Sequence, residues 1–254
     1  LALEITADKL LLAKASCMGI NCMIEPQNPF ANKELTTEER IVLRAEREAN
    51  IEAEKNGGIP TKHSLIKLRK AYDDAGNDFK AAETLEQQNE IYPNPEDYNL
   101  IGVYYHNSGN KDKAVEFFER AIEHNPNDYW PNFNLGNTLF YKYPQRARKH
   151  LNKAYELYPS EPCINILLGR LDKNEGKTVE AKEKFQIAYD KYEQRWKANS
   201  LSDTDYDWFA SVAEELGKRD KAYEIRRAKP KIKKTSYYDE ENLTQTILKS
   251  ITKI

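Results

Sequence analysis

The sequence predicts an all-α fold, an α-solenoid of stacked antiparallel helix pairs, and three observations carry that prediction. A ladder of small and large residues returns every 33 or 34 positions. Gly and Pro punctuate the ladder at fixed offsets. The composition is rich in Tyr, with 16, and poor in Gly, with 10, which favours packed helices over a loop-rich β fold.

The ladder is clearest where Gly102 is followed by Ala114, Phe118, Ala121 and Pro126. It returns as Gly136, Ala147, Leu151, Ala154 and Pro159, and again as Gly169, Ala181, Phe185 and Ala188. Upstream, Tyr72, Gly76, Ala81, Leu85 and Pro93 keep the register, and Ala210, Gly217 and Ala222 carry a weaker version downstream. Within each unit the apolar residues fall at helical spacing, as in Ile101, Tyr104 and Tyr105, then Ala114, Phe117, Phe118 and Ala121. Small residues inside the ladder let two antiparallel helices approach closely. Gly76, Gly109, Gly176 and Gly217 stand where a first helix ends and the chain reverses, a place for a left-handed residue. Pro93, Pro126 and Pro159 close the second helices, and Tyr143-Pro144 makes the turn of the shortened third unit.

This pattern resembles the tetratricopeptide repeat, in which an early aromatic, Leu-Gly, Tyr, Ala, Phe, Ala and a closing Pro recur in that order. The resemblance covers about residues 62–234, with units at 62–94, 95–128, 129–161, 162–195 and 203–234. It implies a right-handed superhelix of about five helix pairs, with a protein–protein interaction scaffold or adaptor as its function.

The array proper is expected over residues 61–234, flanked by 1–60 and 235–254. Residues 1–60 do not carry the period, and their apolar part, from Leu10 to Ile24, reads as an irregular segment. Thr36-Thr37-Glu38-Glu39 has the form of a capping box opening a charged helix over 37–55, and Gly57-Gly58-Ile59-Pro60 ends it. The run Lys229-Pro-Lys-Ile-Lys-Lys234 reads as a solvated linker. Beyond it Leu243, Ile247, Leu248, Ile251 and Ile254 share a helical face, which predicts a capping helix over the last hydrophobic edge.

By resemblance, the first helix of each pair lines a concave groove. The inward positions include Asn99, Val103 and His106, then Trp130, Phe133, Asn134, Asn137, Phe140 and Tyr141, then Ile166 and Arg170. Rings supply buried area and Asn amides bond an extended backbone, so this mixture suits a peptide or another protein. Tetratricopeptide co-chaperones that grip acidic chaperone tails carry Lys and Asn, then Asn, then Lys and Arg at set positions. Here those positions hold Asn99 and Val103, then Asn134, then Cys163 and Leu167, so only Asn134 matches and an acidic tail is not expected.

Charge and motif content exclude other classes. Lys and Arg number 39 against 41 Asp and Glu, a net charge of −2, and no broad basic field points to nucleic acid. No apolar run reaches the roughly 18 residues of a membrane span. His63, His106, His124 and His150 are scattered, and no phosphate loop, nucleophile elbow or zinc-binding pair accompanies them, so no catalytic residue, metal or cofactor is expected. Cys17 and Cys22 are separated by four residues, a spacing unlike a Cys-x-x-Cys redox pair; they read as small buried residues, with thiol redox as the alternative. Lys14 argues against a lipoprotein signal before Cys17. A chain beginning with Leu reads as a processed or excised piece, and a C-terminal interaction region of a larger enzyme is the second alternative. Nothing in the sequence names a compartment.

Overall fold

The computed structural model describes residues 35–230 in full and the backbone of 2–5, 11–17 and 20–24. The chain falls into two compact units, the first ending at Ile41 and the second beginning at Val42. The first contains strands β1 (Ala2–Ile5), β2 (Leu11–Cys17) and β3 (Ile20–Ile24), in an antiparallel sheet of order β1-β2-β3. Ala2 pairs with Lys14 and Ile5 with Leu11, while Ala13 pairs with Ile24 and Cys17 with Ile20. The expectation of an irregular segment is therefore corrected here. A short apolar run has no period of its own, and strand pairing is a non-local event that spacing alone does not reveal. The side chains of Cys17 and Cys22, the basic run from Lys231 onward and the expected capping helix lie outside the described residues.

Helix α1 (Thr37–Lys55) starts where the capping box places it. Glu39 N–H donates to Thr36 Oγ1 at 3.2 Å, and Thr36 N–H donates back to Glu39 Oε2 at 2.7 Å. Further along, Ala45 and Ala49 are buried, Val42 packs on the first core cluster, and the Tyr72 hydroxyl donates to Glu46. Thr61 Oγ1 donates to Glu52 Oε2 at 2.6 Å. A helix that looks polar in sequence thus covers the start of the array with two alanines, a valine and carboxylates.

Five helix pairs follow: α2 (Lys62–Asp74) with α3 (Asp78–Ile91), α4 (Tyr98–Asn107) with α5 (Lys111–His124), α6 (Tyr129–Leu139) with α7 (Pro144–Leu157), α8 (Pro162–Asn174) with α9 (Thr178–Lys197), and α10 (Asp203–Glu215) with α11 (Arg219–Ala228). This is the α-solenoid expected from the period. The turn glycines Gly76, Gly109, Gly176 and Gly217 have φ between 71° and 85°, where an L side chain is strained. At the first of them Asn77 N–H reaches back to Tyr72 C=O at 2.8 Å, satisfying a carbonyl the helix end leaves open. Side-chain caps hold the helix starts: Thr61 accepts from Ser64 N–H, Asn77 from Lys80 N–H, and Ser202 forms a reciprocal box with Asp205.

Inside each pair the glycine of the ladder is a contact point. A Cβ on Gly136 would sit 2.6 Å from Leu151 Cγ, and one on Gly102 would sit 2.6 Å from the Phe118 ring. The large residue of each second helix therefore packs directly on the backbone of the first. Three clusters make up the core of the array. One joins Tyr72, Leu85, Ile101, Tyr105, Phe117, Phe118 and Leu135; another joins Phe133, Phe140, Leu151, Ile164 and Leu168; the last joins Ile166, Phe185, Tyr192, Phe209 and Ile225. Each draws on consecutive pairs, so every pair depends on its neighbour to bury its face. Full burial of one such ring or aliphatic side chain stabilises by about 1.5–3 kcal/mol.

Candidate functional site

Helix α6 presents Trp130, Phe133, Asn134 and Asn137 at i, i+3, i+4 and i+7, one stripe of an α-helix. Asp128 fixes its start by accepting from Trp130 N–H at 3.0 Å. Beside this stripe α4 sets Asn99, Val103 and His106 at i, i+4 and i+7. Two bonds hold the stripes in register. Asn134 Nδ2 donates to Asn99 Oδ1 at 3.0 Å, and His106 Nδ1 lies 2.9 Å from Thr138 Oγ1. Thr138 Oγ1 donates its own proton to Asn134 C=O at 2.7 Å, so His106 Nδ1 is the donor in the second bond. Burial, with Lys111 adding to it, lowers the His106 pKa, which keeps the ring neutral at pH 7.

These residues form one wall of a cleft of about 670 Å³. Trp130 keeps 45% of its surface exposed, while Phe133 is 5% exposed and packs in the core. Phe133 stands edge-on to Trp130 at 6.1 Å and to Trp208 at 6.2 Å, so three rings run in sequence across the cleft. The Asn137 amide, half-buried, makes no side-chain hydrogen bond among the described residues.

The opposite wall and floor come from the start of α8, the end of α9 and the first turns of α10. Arg195 Nη2 meets Glu161 Oε2 at 3.2 Å, and its Nη1 lies 3.4 Å from both Glu161 Oε1 and Asp205 Oδ1. The other Asp205 oxygen accepts from Ser202 N–H at 2.9 Å. Burial works against the Arg195 charge, but the hydrogen bonds and field of Glu161 outweigh it and raise its pKa. The Cys163 thiol, 3.6 Å from Glu161 Oε1, is pushed well above its usual range by burial and then by that carboxylate. Tyr192 stacks beneath, fully buried, with a hydroxyl that has no hydrogen-bond partner among the described residues. Among the described residues the cleft lining holds no other charged side chain.

A family profile for the tetratricopeptide repeat matches residues 95–128, the α4–α5 pair that builds the first wall. The α4–α5 pair is a tetratricopeptide repeat by this match. A crystal structure of MamA aligns with this chain at 20% identity and a TM-score of 0.52, covering 65% of this chain and 99% of that one. MamA from Desulfovibrio magneticus RS-1, residues 41 to the end, aligns at 17% identity with a TM-score of 0.48, covering 65% and 91%. At such identities the likeness is one of fold. The repeat match supports a protein-interaction scaffold in general terms. No helix among the described residues is long and apolar enough to cross a membrane.

The tetratricopeptide register brings Asn99, Val103, His106, Trp130, Phe133, Asn134 and Asn137 together in the cleft. It does not bring the other four there. Phe140 is buried in the second cluster and Ile166 is fully buried with Phe209 and Ala210 in the third. Tyr141 stands 86% exposed in the turn before α7. Arg170 bonds Glu215 Oε1 at 3.0 Å and also meets Ser211, both on α10. The inward rule for the fourth repeat fails because α10 stacks on α8 and turns that face into core. Glu161, Tyr192, Arg195, Asp205 and Trp208 were not anticipated. The one sequence signal for them is the length of α9, 20 residues against 14 for α5 and α7, which carries Tyr192 and Arg195 to the cleft.

Proposed function

We propose that this chain is an adaptor that receives an extended segment of another polypeptide along Asn99, Val103, His106, Trp130, Phe133, Asn134 and Asn137. The observation that carries this reading is the pairing of an exposed ring with an unbonded amide on one helical stripe. Trp130 offers apolar area that folding has left uncovered, and about two turns further on Asn137 offers both a donor and an acceptor. An extended peptide needs both: side-chain burial for affinity and main-chain bonds for direction. A volume of about 670 Å³ accommodates a few side chains. Two carboxylates against one guanidinium in the lining make the cleft a poor host for nucleic-acid phosphates or an acidic chaperone tail.

The test is a selection of peptides from a random library displayed against the whole chain. Selected peptides are expected to lose binding to Trp130→Ala and Asn137→Ala, with the melting temperatures of both variants close to the parent's. Phe133 is unsuitable for this purpose, since its truncation would open the core. Failure to select any peptide, or peptides indifferent to both substitutions, would sink the reading.

A further inference from the structure

Resting on that reading, we infer that the segment received in the cleft presents a lysine or arginine side chain, held by the Trp130, Phe133 and Trp208 rings over Glu161 and Asp205. Three observations converge on a cation. First, the floor is acidic on balance: Glu161 and Asp205 share the guanidinium of Arg195, and no second cation among the described residues lines the cleft. Second, its acceptors outnumber its bonds. Each carboxylate oxygen has two lone pairs, yet Glu161 Oε2, Asp205 Oδ1 and Asp205 Oδ2 each take one hydrogen bond from the described residues. The Tyr192 hydroxyl takes none, although it is buried beside Cys163, Asp205 and Glu161. A buried polar atom without a partner is uncommon in a finished site, and an incoming donor completes the group. Third, the approach is aromatic. The three rings stand 6.1–6.2 Å apart in edge-to-face order, and an aromatic wall above a carboxylate attracts a cation through the ring quadrupole as well as through charge.

The carboxylates are held by Arg195 and by the α10 capping box, so their placement is explained by folding. The unsatisfied Tyr192 hydroxyl and the exposed Trp130 ring are not explained by folding, and both residues line the same cleft.

The experiment uses the peptides selected on the whole chain. Those that depend on Trp130 are expected to be enriched in Lys or Arg at one position. Replacing that residue by acetyl-lysine or citrulline is expected to weaken binding about ten- to a hundredfold, the range of one charge-assisted bond. In Glu161→Gln the ratio between the basic and the neutral peptide is expected to collapse toward one. That ratio is insensitive to a general loss of folded protein; should Glu161→Gln not fold, Asp205→Asn, which keeps an acceptor for Ser202 N–H, carries the same comparison. Trp130-dependent peptides without a basic residue, or with equal affinity after neutralisation, overturn the inference while leaving the adaptor reading intact. Self-association of the chain abolished by Trp130→Ala would assign the cleft to a second copy and overturn it too. Absence of any Trp130-dependent peptide fails the adaptor reading itself.

Discussion

Asn134 donates its side-chain amide to Asn99 Oδ1 at 3.0 Å, joining equivalent faces of adjacent first helices across 35 positions. The bond fixes the register of α4 and α6 at the place where the candidate groove begins. Removal of either partner by Asn134→Ala or Asn99→Ala is expected to cost about 1 kcal/mol, and the double substitution little more than one alone. Urea unfolding of the four proteins checks this; strictly additive losses would show that the bond contributes nothing of its own.

Two kinds of glycine are expected to respond differently to the same substitution. Gly136→Ala drives a methyl to within 2.6 Å of Leu151 Cγ, so it acts by overpacking, with a loss of about 1–3 kcal/mol. Gly109→Ala meets no atom within 4 Å but must adopt φ 85°, with a loss of about 1 kcal/mol. Leu151→Ala, which removes the γ carbon, should recover part of the first loss once its own cost in the parent is subtracted. The same trim should recover none of the second. Equal responses in both backgrounds would reject the steric account.

The glycine contrast also indicates how much was readable in advance. A close approach and a left-handed turn each admit almost one residue type, so Gly102, Gly136 and Gly169, like Gly109 and its equivalents, announce the helix pairs from sequence alone. The inner stripe of α4 and α6 is what the tetratricopeptide resemblance implies once the pairs are known. The floor of the cleft does not. Glu161, Arg195 and Asp205 meet through the stacking of α8, α9 and α10 and the extra length of α9, and side-chain reach is set by that three-dimensional offset. Ile166 shows the converse, an inward position by register that becomes core because a neighbour covers it.

Asp172 is expected to be the most costly ion-pair partner to remove. Its side chain is 4% exposed, with Arg148 Nη1 at 2.8 Å from Oδ1 and Lys184 Nζ at 2.6 Å from Oδ2. Burial pushes its pKa up, but the bonds from Lys184 and Arg148 prevail and hold it below 3.8. Because the folded value lies below the unfolded one, this contribution is fully present above pH 3.8 and is lost as pH falls through the folded value. Asp172→Asn should cost about 3 kcal/mol at pH 7, since it leaves Lys184 without its buried counterion and Arg148 with Glu175 alone, at 3.0 Å. Glu156→Gln, in the exposed pair with Lys153, should change stability by less than about 0.5 kcal/mol. Comparable losses at the two sites would refute the argument from burial.

A second, higher pH window is expected from two histidines. His106 and His150 have their pKa values lowered, in each case by burial first and by nearby cations second. His106 Nδ1 bonds Thr138 Oγ1, and His150 Nδ1 lies 3.2 Å from Asn132 Oδ1, so each ring is held neutral inside the array. Near pH 6.5 the unfolded chain takes up protons that the folded chain refuses. Stability should therefore be level above this pH, decline as pH falls through it, and level off again below the lowered folded values. Replacement of both rings by Gln removes the titrating groups and should flatten that decline, leaving the Asp172 transition at lower pH in place. Chemical denaturation of both proteins between pH 8 and about 4 distinguishes the two windows. A decline that persists unchanged in the double variant would exclude the histidines as its source.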